Sequence, residues 1–274
     1  MLIHRRVMVR ALAVAGALAC GACTNARLGD VGDDANGSRS DGGGGGGGGG
    51  LGGSPDAGGG GADSTPDAAP PQPDAAPSQA VTLTQSGSLN IVGDNSVACG
   101  PDPDTFAANS YYRVFDLAAL GVSGPLDVSK VTFGVQESTS NDGNGLAAKV
   151  TIHTLVGALQ LANLTEVAHK NITIQELAPD PPGTIGGRLN EVSLTGATVP
   201  AGSVMVVEVS HDALGNNEFL LMGSNRAGQT GATFVRGAAC GVGEPIDVDS
   251  LTDDNGDPIV MHWVLEVDGQ AGGG

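Results

Sequence analysis

Residues Pro258–Val267 read PIVMHWVLEV, and Ile259, Met261, Trp263, Leu265 and Val267 fall on alternate positions. Side chains two apart lie on one face of a β-strand, so this run presents an apolar face with His262 opposite. Lys130–Gln136 (KVTFGVQ) repeats the pattern: Val131, Phe133 and Val135 point one way, and Lys130, Thr132 and Gln136 the other. Outward from these two runs, similar alternation occupies Val81–Thr84, Tyr111–Leu117, Lys149–Leu155, Arg188–Leu194, Ser203–Ser210, Glu218–Met222 and Thr233–Arg236. Short alternating runs separated by Gly, Pro, Asn and Asp read as half-buried strands. Leu155–Val167 (LVGALQLANLTEV) is the one candidate helix, and its spacing is ambiguous. About eight to ten strands in one domain predict an all-β fold, an antiparallel β-sandwich of jelly-roll-like architecture.

The core-forming residues set the domain limits. Every aromatic residue lies between Phe106 and Trp263, and the sandwich is expected over 79–269, with a disordered tail at 270–274. A domain of about 190 residues buries roughly 70% of its unfolded surface, enough to stand alone. Residues 20–78 have a different composition. They hold an unbroken glycine run, Gly42–Gly50, and Pro-Asp-Ala at Pro55–Ala57, Pro66–Ala68 and Pro73–Ala75. So little apolar surface cannot offset the entropy of ordering, and a disordered tether is expected, flexible where glycine dominates and stiffer where proline does. Its coil dimension is roughly 40 Å, which suits a leash.

Ahead of the tether, Arg5, Arg6 and Arg10 form a basic head, and Ala11–Ala19 an uncharged apolar run. That run is shorter than the about 20 residues that span a bilayer, and residues 1–19 read as a signal peptide. It ends on Cys20-Gly21-Ala22-Cys23. A redox pair of this spacing needs a helix start to lower its thiol pKa, and the following TNARLGDVGDDANGSRSD has no apolar periodicity to build one. Ala17-Leu18-Ala19-Cys20 instead resembles the lipobox of bacterial lipoproteins, with its leucine one place late. That resemblance implies cleavage before Cys20, lipidation of its thiol, and export to the outer membrane or cell surface, with the membrane as partner through the lipid. An ordinary cleaved signal that leaves both cysteines free is the alternative. With Cys20 acylated, Cys23 is an unpaired thiol.

The domain holds two further cysteines, Cys99 and Cys240. In an oxidising compartment they are expected to form a disulfide, the alternative being two separate buried thiols.

The whole chain carries a formal charge of −18. From residue 79 onward there are 22 acidic and 7 basic residues, a difference of 22 − 7 = 15 negative charges. This balance argues against nucleic acid and anionic lipid headgroups as partners, since both need positive surface. Solubility or a divalent cation remains. Asp247, Asp249, Asp253, Asn255 and Asp257 offer oxygens in DVDSLTDDNGDP, as Ca²⁺ requires, although Leu251 stands where an EF-hand loop would place a ligand. The same segment is equally a solvated acidic turn, and so is Asn141–Gly145. No other cofactor is expected.

No H-E-x-x-H, G-x-S-x-G or phosphate loop occurs. His153, His169, His211 and His262 are scattered and read as surface or loop residues. Tyr111 and Tyr112 are adjacent on a strand, so one should face inward and the other outward, where it could stack on a ligand or pair across strands.

Several segments together, NSYYRVFDL, VSKVTFGVQ, VTIHTL, LANLTEV, VPAGSVMVVEV and FLLMGSNRAGQT, resemble a β-sandwich accessory module of secreted bacterial proteins. Cys99 matches its cysteine-flanked opening, and Cys240-Gly241 with Pro245 its later Cys-Gly-x-x-x-Pro. The leader and the Pro-Asp-Ala tether resemble myxobacteria-like surface lipoproteins. The resemblance implies an extracytoplasmic sandwich without catalytic residues. The expected function is a lipid-anchored envelope protein displaying a non-catalytic binding or adhesion module for carbohydrate or protein. A structural envelope component without a soluble ligand is the alternative, and a hydrolase assembled only in the fold a second one.

Overall fold

The two runs that decide the fold are hydrogen-bonded neighbours. Leu265 lies opposite Phe133 and Val267 opposite Val131, so their apolar faces merge into one. A computed structural model describes residues 78–100, 106–252 and 256–273 of the chain. Cys20, Cys23, residues 20–77 of the expected tether, and Asp253 and Asn255 lie outside the described residues.

In chain order the strands begin with β1 (Gln79–Thr84), β2 (Ile91–Val92), β3 (Asn109–Asp116), β4 (Leu126–Thr139) and β5 (Leu146–Leu155). There follow β6 (Leu164–Ile174), β7 (Ile185–Gly186), β8 (Arg188–Val199), β9 (Val204–His211) and β10 (Phe219–Met222). The last are β11 (Ser224–Asn225), β12 (Thr233–Gly237), β13 (Val242–Asp247), β14 (His262–Trp263) and β15 (Leu265–Ala271). One sheet runs β1-β15-β4-β10, with β8 also on β4, and the other runs β13-β12-β3-β9-β5-β6. Every pairing is antiparallel. The antiparallel sandwich expected from the alternation is the fold, and the chain changes sheet at most of its long connections.

The inner faces meet in one core. Val131, Phe133, Leu265 and Val267 come from one sheet, and Phe115, Val150, Ile152, Met205 and Val207 from the other, all buried. Trp263 is fully buried, with Tyr111 edge-on at 5.1 Å and its indole N–H donating to Phe234 O at 2.9 Å. Between them sits a cation. Arg113 shares the inward face of β3 with Tyr111 and Phe115 and is fully buried. Its Nη2 and Nε donate to Trp263 O at 2.7 and 3.2 Å, and its Nη1 to Gln229 Oε1 and Gly231 O, both at 2.9 Å. Desolvation pulls the guanidinium pKa down to about 10, against the opposing pull of Asp249. Carbonyls take the place of a carboxylate partner, which satisfies the fork without a second buried charge.

Cys99 and Cys240 are bonded, with Cα atoms 5.8 Å apart. Asn109 fixes the Cys99 loop: its side chain accepts from Cys99 N at 2.7 Å and donates to Cys99 O and Ala107 O. Gly237, just before the turn that carries Cys240, must be glycine, because a Cβ there would lie 2.5 Å from Cys99 Cβ.

One ambiguous run is resolved and three expectations are corrected. Leu155–Val167 is no helix: it holds a single 3₁₀ turn, Leu161–Asn163, with no buried residue, and then enters β6. Without an apolar stripe to bury, pairing with β5 prevails. The tail starts later than 270, since β15 runs to Ala271 against Leu126 of β4. On β4, Thr132 and Gln136 are buried although they lie opposite the core. Gln136 is covered by the loop after β2, whose Asn95 N–H donates to its Oε1 at 3.0 Å. Finally, Pro258–Val267 is not one strand. At Val264 the chain changes partner: Trp263 pairs with Ser224, whereas Leu265 begins the pairing with β4.

Candidate functional site

The outward face of the six-stranded sheet carries polar residues in register across five strands. Antiparallel partners share a face, so pairing alone aligns Arg236, Ser110, Ser210, Lys149 and Asn171 in one row across β12, β3, β9, β5 and β6. The next row along holds Phe234, Tyr112, Glu208, Thr151 and His169, and the one after it Val114, Val206, His153 and Glu166. The first row borders a cleft of about 540 Å³, which Ala147, His211 and Asp212 also line. At a strand spacing of about 4.8 Å, the backbones that carry Arg236 and Lys149 are roughly 14 Å apart.

Beside the cleft, Glu208 is the centre of a hydrogen-bonded group. Its Oε2 lies 2.9 Å from His153 Nε2, and its Oε1 accepts from the Tyr112 hydroxyl at 3.1 Å. Burial pushes the Glu208 carboxyl up, but hydrogen bonds from His153, Ser110 and Tyr112 outweigh it and hold the group below the ordinary carboxylate range. Burial, then the charge of Glu208, raises the Tyr112 phenol well above its usual value. The order of contacts decides what chemistry is available. A nucleophile relay needs the histidine between hydroxyl and carboxylate. Here His153 Nε2 meets Glu208, whose other oxygen accepts from the Tyr112 hydroxyl, and His153 Nδ1 is buried with no hydrogen-bond partner. In this arrangement the group fixes side chains.

Most other cations of the domain are engaged: Lys130 reaches Glu191 and Asp268, Arg188 donates to Gln175 O, Arg226 donates to Asn95 Oδ1, and Arg113 is in the core, while Lys170 is exposed on β6. Arg236 spends only its Nε, on Gly243 O at 2.9 Å, and Lys149 is half-buried at the cleft.

The residues expected to act do not gather here. Tyr111 faces inward as one of the pair should, but Tyr112, which points outward, is also buried. Flanked by Phe234 and Glu208 in the middle of the sheet, with its hydroxyl engaged, it offers no ring face for stacking. Three histidines read as surface or loop residues are buried instead. His153 meets Glu208, His211 Nδ1 donates to Asp212 O at 2.8 Å, and His262 Nδ1 is bonded to Ala227 O. Desolvation lowers the His211 pKa, against its bond to Asp212. Only His169 is exposed, paired with Glu166 at 2.6 Å. In the calcium candidate, the Asp247 carboxylate accepts the Asp249 N–H at 3.0 Å, and Thr252 bridges to Pro258 across the loop. Among the described residues no group of three or more His, Cys, Asp or Glu is placed to hold a metal ion. In the second acidic turn, Asp142 bonds Asn144 twice. The residues that sequence reasoning missed are Glu208, Lys149 and Arg236. Each sits at a polar position of an alternating run, and only the register joins them.

No known protein-family profile matches the chain, and no curated protein matches it. A solved structure, that of infectious bursal disease virus Gx strain, aligns with 72% of this chain at 10% identity and a TM-score of 0.22. The chain spans 37% of that viral chain. A likeness of this size carries no functional argument.

Proposed function

We propose that this protein is a lipid-anchored component of a bacterial envelope whose sandwich serves as a non-catalytic binding or adhesion module for a carbohydrate or protein ligand. The observation that carries the binding reading is the cleft on the six-stranded sheet, where a row of polar side chains from five strands faces outward around two cations. Sites on paired strands are held more rigidly than sites on loops, and here the Glu208 group fixes the neighbouring row. The anchoring reading rests on the basic head, the apolar run and Cys20. The Cys99–Cys240 disulfide fits an oxidising compartment.

The binding reading is tested with the full chain, purified in detergent, on arrays of glycans and envelope proteins. Retention of a defined ligand class is expected, and its loss in a Lys149→Ala, Arg236→Ala variant assigns the cleft. Binding that survives this double variant moves the site elsewhere, and no ligand at millimolar concentration leaves a purely structural envelope component. Metabolic labelling with an alkynyl fatty acid tests the anchor: the wild type should be labelled and Cys20→Ser should not.

A further inference from the structure

We infer that the ligand of this cleft is an acidic polysaccharide, a chain of hydroxyl-bearing sugars with carboxylates at intervals. The inference rests on the binding reading above and names its ligand class. The domain's described surface is strongly acidic, and the cleft interrupts it. Lys149 and Arg236 stand in one cross-strand row, their backbones roughly 14 Å apart, with the Ser210 hydroxyl and the buried Ser110 between them and the Asn171 amide beyond Lys149. Of the carboxylates nearby, Glu208, one row away, is occupied by His153 and Tyr112, while Asp212, whose backbone oxygen accepts from His211, is exposed on the rim. Arg236 keeps its Nη groups beyond the bond from Nε to Gly243 O, and a guanidinium fork fits a carboxylate.

Other ligand classes fit the cleft less well. A peptide that adds to a sheet needs a free edge, whereas β12, β3, β9 and β5, which carry Arg236, Ser110, Ser210 and Lys149, are each paired on both sides, and of the row Asn171 alone stands on an edge strand, β6. A folded protein partner docks through aromatic or aliphatic anchors in a pocket. The two aromatics in the row beside the cleft are Tyr112, buried with its hydroxyl bonded to Glu208, and Phe234, half-buried. A neutral glycan is commonly gripped by ring stacking, and here the Tyr112 ring is withdrawn and Phe234 is half-covered. Charge and hydrogen bonding remain as the means of recognition, and a polyhydroxylated anion uses both.

Polygalacturonate, its fully methyl-esterified form and poly-glutamate, each titrated into the full chain in detergent by calorimetry, test the inference. Polygalacturonate should bind, and binding should weaken as salt rises toward the range where exposed charges are screened. The esterified polymer and poly-glutamate should bind at least about tenfold more weakly, and Lys149→Ala or Arg236→Ala should each lose about tenfold, the effect of one charge-assisted hydrogen bond. Lys149→Glu should lose more. Because Arg236 also bonds Gly243 O, Arg236→Lys serves as the variant that keeps charge and fold; a melting temperature equal to wild type with weakened binding supports the fork. Equal binding of the esterified polymer overturns the inference but leaves a glycan-binding module standing. Equal binding of poly-glutamate reduces the cleft to a charge patch and also overturns it. Binding of array ligands with no response to polygalacturonate separates failure of this inference from failure of the binding reading, which a wholly silent array would signal.

Discussion

On the outer face of the five-stranded sheet, Lys130 lies 3.2 Å from Glu191 and 3.1 Å from Asp268, and Thr82 donates to Asp268 at 2.6 Å, all open to solvent. On the outer face of the six-stranded sheet, Glu208 makes contacts of the same length with His153 and Tyr112, but its side chain is 15% exposed and that of His153 11%. Cross-strand register produced both groups, since Thr82, Asp268 and Lys130 are direct partners just as Tyr112 and Glu208 are. Water surrounds the first group, so its charges are screened and each contact replaces hydration of nearly equal worth. The second has lost much of its hydration, so a missing partner leaves a polar group with nothing to replace it. Equal geometry therefore means unequal energy.

The sharpest break of this comparison takes burial to its limit, at Arg113. Arg113→Ala removes the donor of Gly231 O, leaves Trp263 O with the Ser86 hydroxyl, and opens a hole beside Trp263. A loss of about 3–5 kcal/mol is expected from urea unfolding. A loss below about 1 kcal/mol would mean that these carbonyls find other partners.

Glu208→Gln should come next, at about 1–3 kcal/mol, because the amide cannot accept from both His153 and Tyr112 with two oxygens. Its pH dependence follows from the lowered carboxyl pKa. A carboxylate whose folded pKa is depressed contributes stability above its unfolded pKa, about 4.3, and loses it as pH falls through the folded value. The melting-temperature gap between wild type and Glu208→Gln should be full at neutral pH and should close only below about pH 4. A gap that closes above pH 5 would contradict the direction of the shift. Asp268, lowered first by its bond from Thr82, has the same sign, but Asp268→Asn should show a smaller, salt-sensitive gap.

Tyr112→Phe removes only the hydroxyl and should cost about 1 kcal/mol. Lys130→Ala, on the open face, should leave the melting temperature unchanged within error at physiological salt. A Lys130 effect as large as that of Tyr112 would erase the distinction between the two faces.

Much of the sandwich was legible because alternation is a local property. Ile259, Met261, Trp263, Leu265 and Val267 are all buried as their positions implied, and the run Asn109–Asp116 placed Tyr111, Arg113 and Phe115 on one face. β6 was hidden because its Thr165, His169 and Lys170 dilute the pattern at a sheet edge, where only part of one face is covered. β13 was hidden by Gly243 and Pro245, which read as loop. The candidate site was almost wholly illegible. Arg236, Ser110, Ser210 and Lys149 stand far apart in the chain at unremarkable polar positions. The acidic loop drew attention through composition, yet composition does not bring side chains together.

The sequence by itself determined the strand faces, the all-β class, the basic and apolar leader, and which cysteines were available to pair inside the domain. These follow from side-chain chemistry at fixed local spacing. Only the tertiary structure decided that Tyr112 and three histidines are buried, that Glu208 stands between Tyr112 and His153, and that two cations share one row. Each of these depends on which strands become neighbours and in what register, and long-range pairing is set by the burial of the whole core, not by any one segment.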